Sequence, residues 1–116
     1  MNVVHDLDDY QERAWQTAVW SDRDLGIPPM VYCTLKLTGE AGEFSEKLGK
    51  LYRDHGGELT DEQTDLMARE LGDVLWYVAN LARLLGFSLA DIASMNLRKL
   101  ADRKARGTLR GDGDTR

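Results

Sequence analysis

Two stretches decide how this sequence reads: LTGEAGEFSEK at residues 37–47 and ELGDVLWY at residues 70–77. The first sets Glu40 and Glu43 three residues apart, with Lys47 one turn further along; the second repeats the device with Glu70, Asp73 and Tyr77. On a helix, positions three and four apart fall on one row, so each stretch presents a carboxylate pair followed by a hydrogen-bond donor. Both lie within apolar residues at helical spacing. Leu37, Ala41, Phe44, Leu48 and Leu51 step by four and three, as do Leu71, Val74, Val78, Leu81 and Leu85, with Ala82 beside them. At about 100° per residue the acidic rows fall beside these stripes, so two helices packed by their stripes bring the rows together.

Working outward, the breaks in pattern give an all-α chain of about four helices. Residues 7–20 (LDDYQERAWQTAVW) contain no Gly or Pro and follow Asp6 as an N-cap, with Asp8 as the other choice. After SDRDLGIPP, the pair Pro28 and Pro29 suits the first turn of a second helix, which runs to about residue 54 and stops at His55, Gly56 and Gly57. Thr60 with Gln63 makes a capping box for a third helix, and Asp61 and Glu62 place negative charge at its start. Gly86 closes that helix; Ser88 with Asp91 opens a fourth, to about Arg106. Such stripes need bundle partners. One domain, residues 1–106, is expected, followed by a Gly- and Asp-rich tail at 107–116 whose composition favours disorder.

Charge narrows the function. A net charge of -5 argues against a domain that grips nucleic acid through counterion release. Seven of the 15 Lys and Arg residues nevertheless lie after position 97, opposite an acidic middle. An acidic body with a basic end suits a phosphate ligand bridged by metal. There is no apolar run of membrane-spanning length and no signal-peptide order at the start, so a cytoplasmic protein is expected. The single cysteine, Cys33, has no Cys or His partner at zinc spacing and reads as a small buried hydrophobe.

Four carboxylates converging at the edge of a core repel one another unless cations sit between them. Magnesium is the natural choice, a hard ion that takes oxygen ligands and bridges carboxylates to phosphates; manganese can substitute. Di-iron bundles require Glu-x-x-His pairs, and His5 and His55 lie outside both motifs. Either carboxylate pair alone reads equally well as a solvated helix face, with Glu43 pairing with Lys47. Two such pairs, each enclosing a glycine (Gly42, Gly72) that costs about 1 kcal/mol in a helix, point instead to close helix approach and metal binding. On the fourth helix Asn96, Lys99 and Arg103 share one face. Asn96 falls on the apolar stripe, where its amide needs a specific partner.

The segments YQERAWQTA, LTGEAGEF, ELGDVLWYVANLARLLGFSL and NLRKLADR together resemble the MazG-like branch of the all-α nucleotide pyrophosphohydrolases, relatives of the dimeric dUTPases and dCTP pyrophosphatases. The resemblance implies that Glu40, Glu43, Glu70 and Asp73 bind magnesium. It places Lys47, Tyr77, Asn96 and Lys99, with Arg103, in a substrate pocket. It further implies a homodimer or a dimer of dimers that completes a four-helix core around each site. Where some dUTPase-like members carry an extra Glu as base before the first motif, this chain has Gly39.

The expected activity is magnesium-dependent hydrolysis of a nucleoside triphosphate to the monophosphate and pyrophosphate, with Glu43 or Glu40 orienting or deprotonating the water. Trp15, Trp20 and Trp76 are candidates for stacking on a base, though aromatic residues at this spacing are more often core. Arg106 or Arg110 of the tail could fold over the phosphates. The competing readings are a non-catalytic nucleotide-binding or regulatory module and a structural helical dimer with solvated acidic rows.

Overall fold

Asp6 starts the first helix, α1 (Leu7–Gln16), by accepting the Asp9 amide on its carboxylate at 2.7 Å. The computed structural model describes residues 3–18, 20, 25–107 and 110, so most of the tail expected at 107–116 lies outside the described residues. α1 ends at Gln16 rather than at residue 20. The N–H and hydroxyl of Thr17 both donate to the Ala14 carbonyl, at 3.1 and 2.7 Å, which closes the helix in a tighter turn.

α2 (Pro29–His55) begins with proline in its first turn and ends at Gly56, which takes the left-handed φ of 63°. At Gly57 a side chain is barred as well, since a Cβ there would lie 2.5 Å from the Tyr52 ring. α3 (Asp61–Leu84) opens with the expected capping box: Thr60 Oγ1 accepts the Gln63 amide at 3.2 Å, and Gln63 Oε1 accepts the Thr60 amide at 3.4 Å. α4 (Leu89–Ala105) is capped by Ser88, whose hydroxyl accepts the Asp91 amide at 3.0 Å. The chain is all-α, with four helices and no strand among the described residues. None of these helices is long and apolar enough to cross a membrane.

α2 and α3 form an antiparallel hairpin. α4 leaves α3 at 98°, and α1 lies across α3 and α4. Among the described residues α2 makes no close backbone approach to α1 or α4. The apolar core therefore sits at one end, where Ala14, Ala79 and Leu89 pack with Tyr10, Trp76 and Val78. Gln11 ties this end together from the inside. Its Nε2 donates to the carbonyls of Ala79 and Phe87 (3.2 and 3.0 Å), and its Oε1 accepts the Leu89 amide (3.0 Å).

The hairpin seam differs from the expected one. Along α2 a covered row runs through Cys33, Leu37, Glu40, Phe44, Lys47 and Leu51; along α3 one runs through Gln63, Met67, Glu70, Val74, Tyr77, Leu81 and Leu84. This is the alternating four-and-three spacing of helices packed side by side. Part of each charged row thus lies in the seam itself, Glu40 and Lys47 from α2 and Glu70 and Tyr77 from α3, while Glu43 and Asp73 stay exposed. Part of the apolar stripe faces outward: Ala41 is exposed, as are Leu48 (38%), Leu71 (54%) and Leu85 (61%). Gly42 and Gly72, expected at a close helix approach, have nothing within 4 Å of where a Cβ would stand. The chain presents 8405 Å² to solvent, against about 6,400 Å² for a compact monomer of this mass.

Removing the Gln11 bonds tests how this end is held. Gln11→Ala leaves two buried backbone groups and a part-buried one without their partner, and stability should fall by about 2 kcal/mol. Urea denaturation reads this as a lower midpoint at an unchanged slope; an unmoved midpoint would show that Gln11 does not tie α1 to α3 and α4.

Candidate metal centre

Packing of α2 on α3 brings Glu40, Glu43 and Glu70 together, with one carboxylate oxygen from each lying within 4.8 Å of the others. Glu40 and Glu70 are largely covered, their side chains 14% and 13% exposed, whereas Glu43 opens to solvent. Asp73 stands apart from this trio. It lines a groove of about 310 Å³ with Glu40, Trp76 and Tyr77. The sequence placed all four carboxylates together; three converge tightly and the fourth forms the neighbouring wall.

Burial raises the Glu40 carboxyl above its usual value of 4.5, and the charges of Glu43, Asp73 and Glu70 add to that, against the opposing pull of Lys36. Lys36 Nζ lies 4.0 Å from Glu40 Oε1, and Lys47 Nζ lies 3.5 Å from Glu70 Oε1. Glu70 Oε2 is buried and accepts no hydrogen bond from the described residues. An all-oxygen set with a covered, unsatisfied oxygen fits a hard divalent cation such as magnesium.

An aromatic wall flanks the acidic groove. The Trp76 indole N–H donates to Thr17 Oγ1 at 2.8 Å, so the end of α1 fixes its ring. Trp76 meets Trp20 and Tyr77 edge-on, with centroids 5.1 and 4.9 Å apart, and Trp20 lies 5.9 Å from Tyr32. The Tyr77 phenol is pushed up to about 12, chiefly by burial, then by the charge of Tyr32 and a hydrogen bond with it, with smaller contributions from Glu40 and Cys33. It therefore stays neutral and able to donate. The Tyr10 phenol of α1 is raised by burial and then by the charge of Asp73, and Tyr10 lines a neighbouring groove that shares Trp76. Lys36, Tyr32 and Tyr10 were not among the residues expected here. Lys36 and Tyr32 stand one and two turns before Glu40 on the same helix, a spacing that could have found them; Tyr10 is brought in only by the crossing of α1.

The fourth-helix residues do not join this centre within one chain. Asn96 and Lys99 line a separate groove of about 290 Å³ with Ile92 and Met95. Asn96 is exposed rather than held on a buried stripe, because α4 leaves α3 at 98° and its middle turn, residues 94–98, projects into solvent. Arg103 is 3% exposed, so its guanidinium is enclosed and does not project toward the acidic groove as an open phosphate contact. Trp15 packs beneath the Arg83 guanidinium, 4.6 Å from its ring centre, which gives it a structural role. Arg106 is engaged by Asp102 at 2.7 Å.

The raised Glu40 has a thermodynamic signature. Between 4.5 and its raised folded value, the folded chain binds more protons than the unfolded one, so stability falls as pH rises through that interval and the penalty persists above it. Without divalent cations, Glu40→Gln should therefore melt at a higher temperature than the parent protein at neutral pH. The gap should close on acidification below 4.5. Melting curves in a chelator that superimpose at every pH would contradict this.

Comparison with known proteins agrees with this geometry. The MazG nucleotide pyrophosphohydrolase domain matches residues 32–107, which contain both acidic motifs and the whole of α3 and α4. The "Gene 37 protein" of Mycobacterium phage L5 is 44% identical over 113 residues, covering 95% of this chain and 98% of that protein. No solved structure matches. With its two carboxylate rows joined in the α2–α3 seam and the domain match spanning them, the chain belongs to the MazG nucleotide pyrophosphohydrolase family.

Proposed function

We propose that this protein is a magnesium-dependent nucleoside triphosphate pyrophosphohydrolase, releasing a nucleoside monophosphate and pyrophosphate. The observation that carries the reading is the meeting of Glu40, Glu43 and Glu70 within 4.8 Å, beside a groove walled by Asp73, Trp76 and Tyr77. Glu40, Glu43, Glu70 and Asp73 would hold the magnesium, which would supply a lowered water pKa and positive charge against the phosphates.

The chain's own groups do the rest. Water attacks the α-phosphorus, a P–O bond forms, and the bond from that phosphorus to the α–β bridging oxygen breaks, with the electron pair leaving on pyrophosphate. Glu43, open to solvent at the edge of the trio, orients the water and takes its proton; Glu40 is the other candidate for that proton. Lys47 lies between the acidic trio and the groove at the turn of the hairpin, where it neutralises phosphate oxygens. Tyr77, held neutral, donates a hydrogen bond from the aromatic wall toward sugar or base.

Asn96 and Lys99 enter this scheme through a second copy of the chain. Val31, Leu35, Leu48 and Tyr52 on α2, and Leu71 and Leu75 on α3, are all more than a third exposed. A face of this kind is built to be covered. A homodimer, or a dimer of dimers, closes it as a four-helix core and brings the α4 groove of one copy to the acidic groove of the other. Arg103 contributes by holding α4 in place for that approach.

Incubation with a panel of canonical and modified ribo- and deoxynucleoside triphosphates, with and without magnesium, tests the reaction. The expected result is magnesium-dependent monophosphate and pyrophosphate, resolved by anion exchange. Nucleotide binding without turnover across the panel would favour a regulatory module. Glu43→Gln should lower kcat by about 10²-fold or more while leaving the helical circular dichroism intact; retained activity would remove Glu43 from its assigned role.

A further inference from the structure

Asn80 is completely buried on α3, and neither its Oδ1 nor its Nδ2 makes a hydrogen bond within the described residues. A fold selected for stability alone has no reason to keep such a group, because an apolar side chain of the same volume there is neutral or better. Its position says what the amide is for. Asn80 follows Asp73 by seven residues, two helical turns, and so lies on the same face about 10 Å along the axis. Trp76 and Tyr77, which wall the acidic groove, fall between them. Along this one row the chain presents a carboxylate, then two aromatic rings, then a paired donor and acceptor. That order matches the parts of a nucleotide: phosphate with its metal, then sugar and base ring, then the hydrogen-bonding edge of the base.

We propose that Asn80 is a specificity-determining residue that reads the edge of the nucleobase, with its carbonyl and amino groups meeting the base as a donor–acceptor pair. This rests on the reading of the groove as a nucleoside triphosphate site. Trp20, outside any helix, is held against Trp76 and Tyr32 by ring contacts at 5.1 and 5.9 Å. An entering base takes its place in that stack and reaches the next turn, where Asn80 sits. A site that offers a buried amide penalises a base lacking a matching edge, because the amide then stays unpaired in the complex as well.

The test compares kcat/KM for the four natural triphosphates and for a triphosphate carrying benzimidazole, a base with the ring shape of a purine but a largely apolar edge. The parent protein should favour its best natural base over benzimidazole by about 10-fold or more. Asn80→Leu should narrow the spread across all five substrates to within a few-fold and should melt no lower than the parent. Asn80→Ala, with a cavity in place of the amide, should narrow it in the same way. Equal use of benzimidazole and natural bases by the parent would overturn the proposal, and this arm needs no variant to fold. An unchanged ranking and spread in a folded Asn80→Leu or Asn80→Ala protein would overturn it too. If the parent hydrolyses none of the triphosphates, the proposed reaction fails separately. Calorimetric binding of the corresponding monophosphates with magnesium then decides the base contact by the same comparison, with equal affinities, or no binding of any of them, counting against it.

Discussion

Glu40, Glu43 and Glu70 hold three carboxylate oxygens within 4.8 Å of one another, and a helical hairpin can keep that arrangement only if other contacts offset the repulsion. Much of the architecture answers that need. Lys36 and Lys47 lie 4.0 and 3.5 Å from the two covered carboxylates and supply positive charge from within the chain. Apolar and aromatic neighbours flank the acidic turn on both sides: Leu37, Phe44 and Val74 in the seam, with Tyr77 and Trp76 toward the core end. The seam is thereby part apolar and part charged.

The rest of the chain is arranged so that this strained seam does not have to hold the fold by itself. The apolar core of Ala14, Ala79 and Leu89 lies at the far end of α3, and the Gln11 side chain stitches α1, α3 and α4 there through three bonds, two of them buried. With that end held, α3 carries the candidate site along its length: Glu70 and Asp73 toward the hairpin turn, Trp76 and Tyr77 in the middle, and the buried Asn80 where the core begins. α2 depends on α3 alone among the described helices, and its outer face keeps Val31 and Leu35 exposed. Such a division concentrates departures from ideal packing at the site, where chemistry gives them a use.

Local signals were the most legible part of the sequence. Asp6, Thr60 with Gln63, Ser88, and the prolines at the start of α2 announced four helix starts because each cap acts within a few residues of itself. The two carboxylate rows were equally legible, since i, i+3 spacing fixes a shared face wherever a helix forms. α1 was read one turn too long, because what ends it is the Thr17 hydroxyl, engaged by Ala14 on one side and by Trp76, 59 residues away, on the other.

The sequence by itself determined the all-α class, the helix starts and the two acidic rows, all set by short-range capping and periodicity. Only the tertiary structure decided which face of each helix turns inward. Shifting the seam by one row put Glu40, Lys47, Glu70 and Tyr77 between the helices and turned Leu48 and Leu71 outward, a choice that depends on how two surfaces pack and not on either pattern alone. The same applies to α4. Its departure at 98° leaves Asn96 open, while Arg103, two turns further along the same helix face, is enclosed. Asn80 and Gln11 carry no signal in sequence either, because a polar residue in a helix is unremarkable until the fold closes around it and its partners, or their absence, become physical facts.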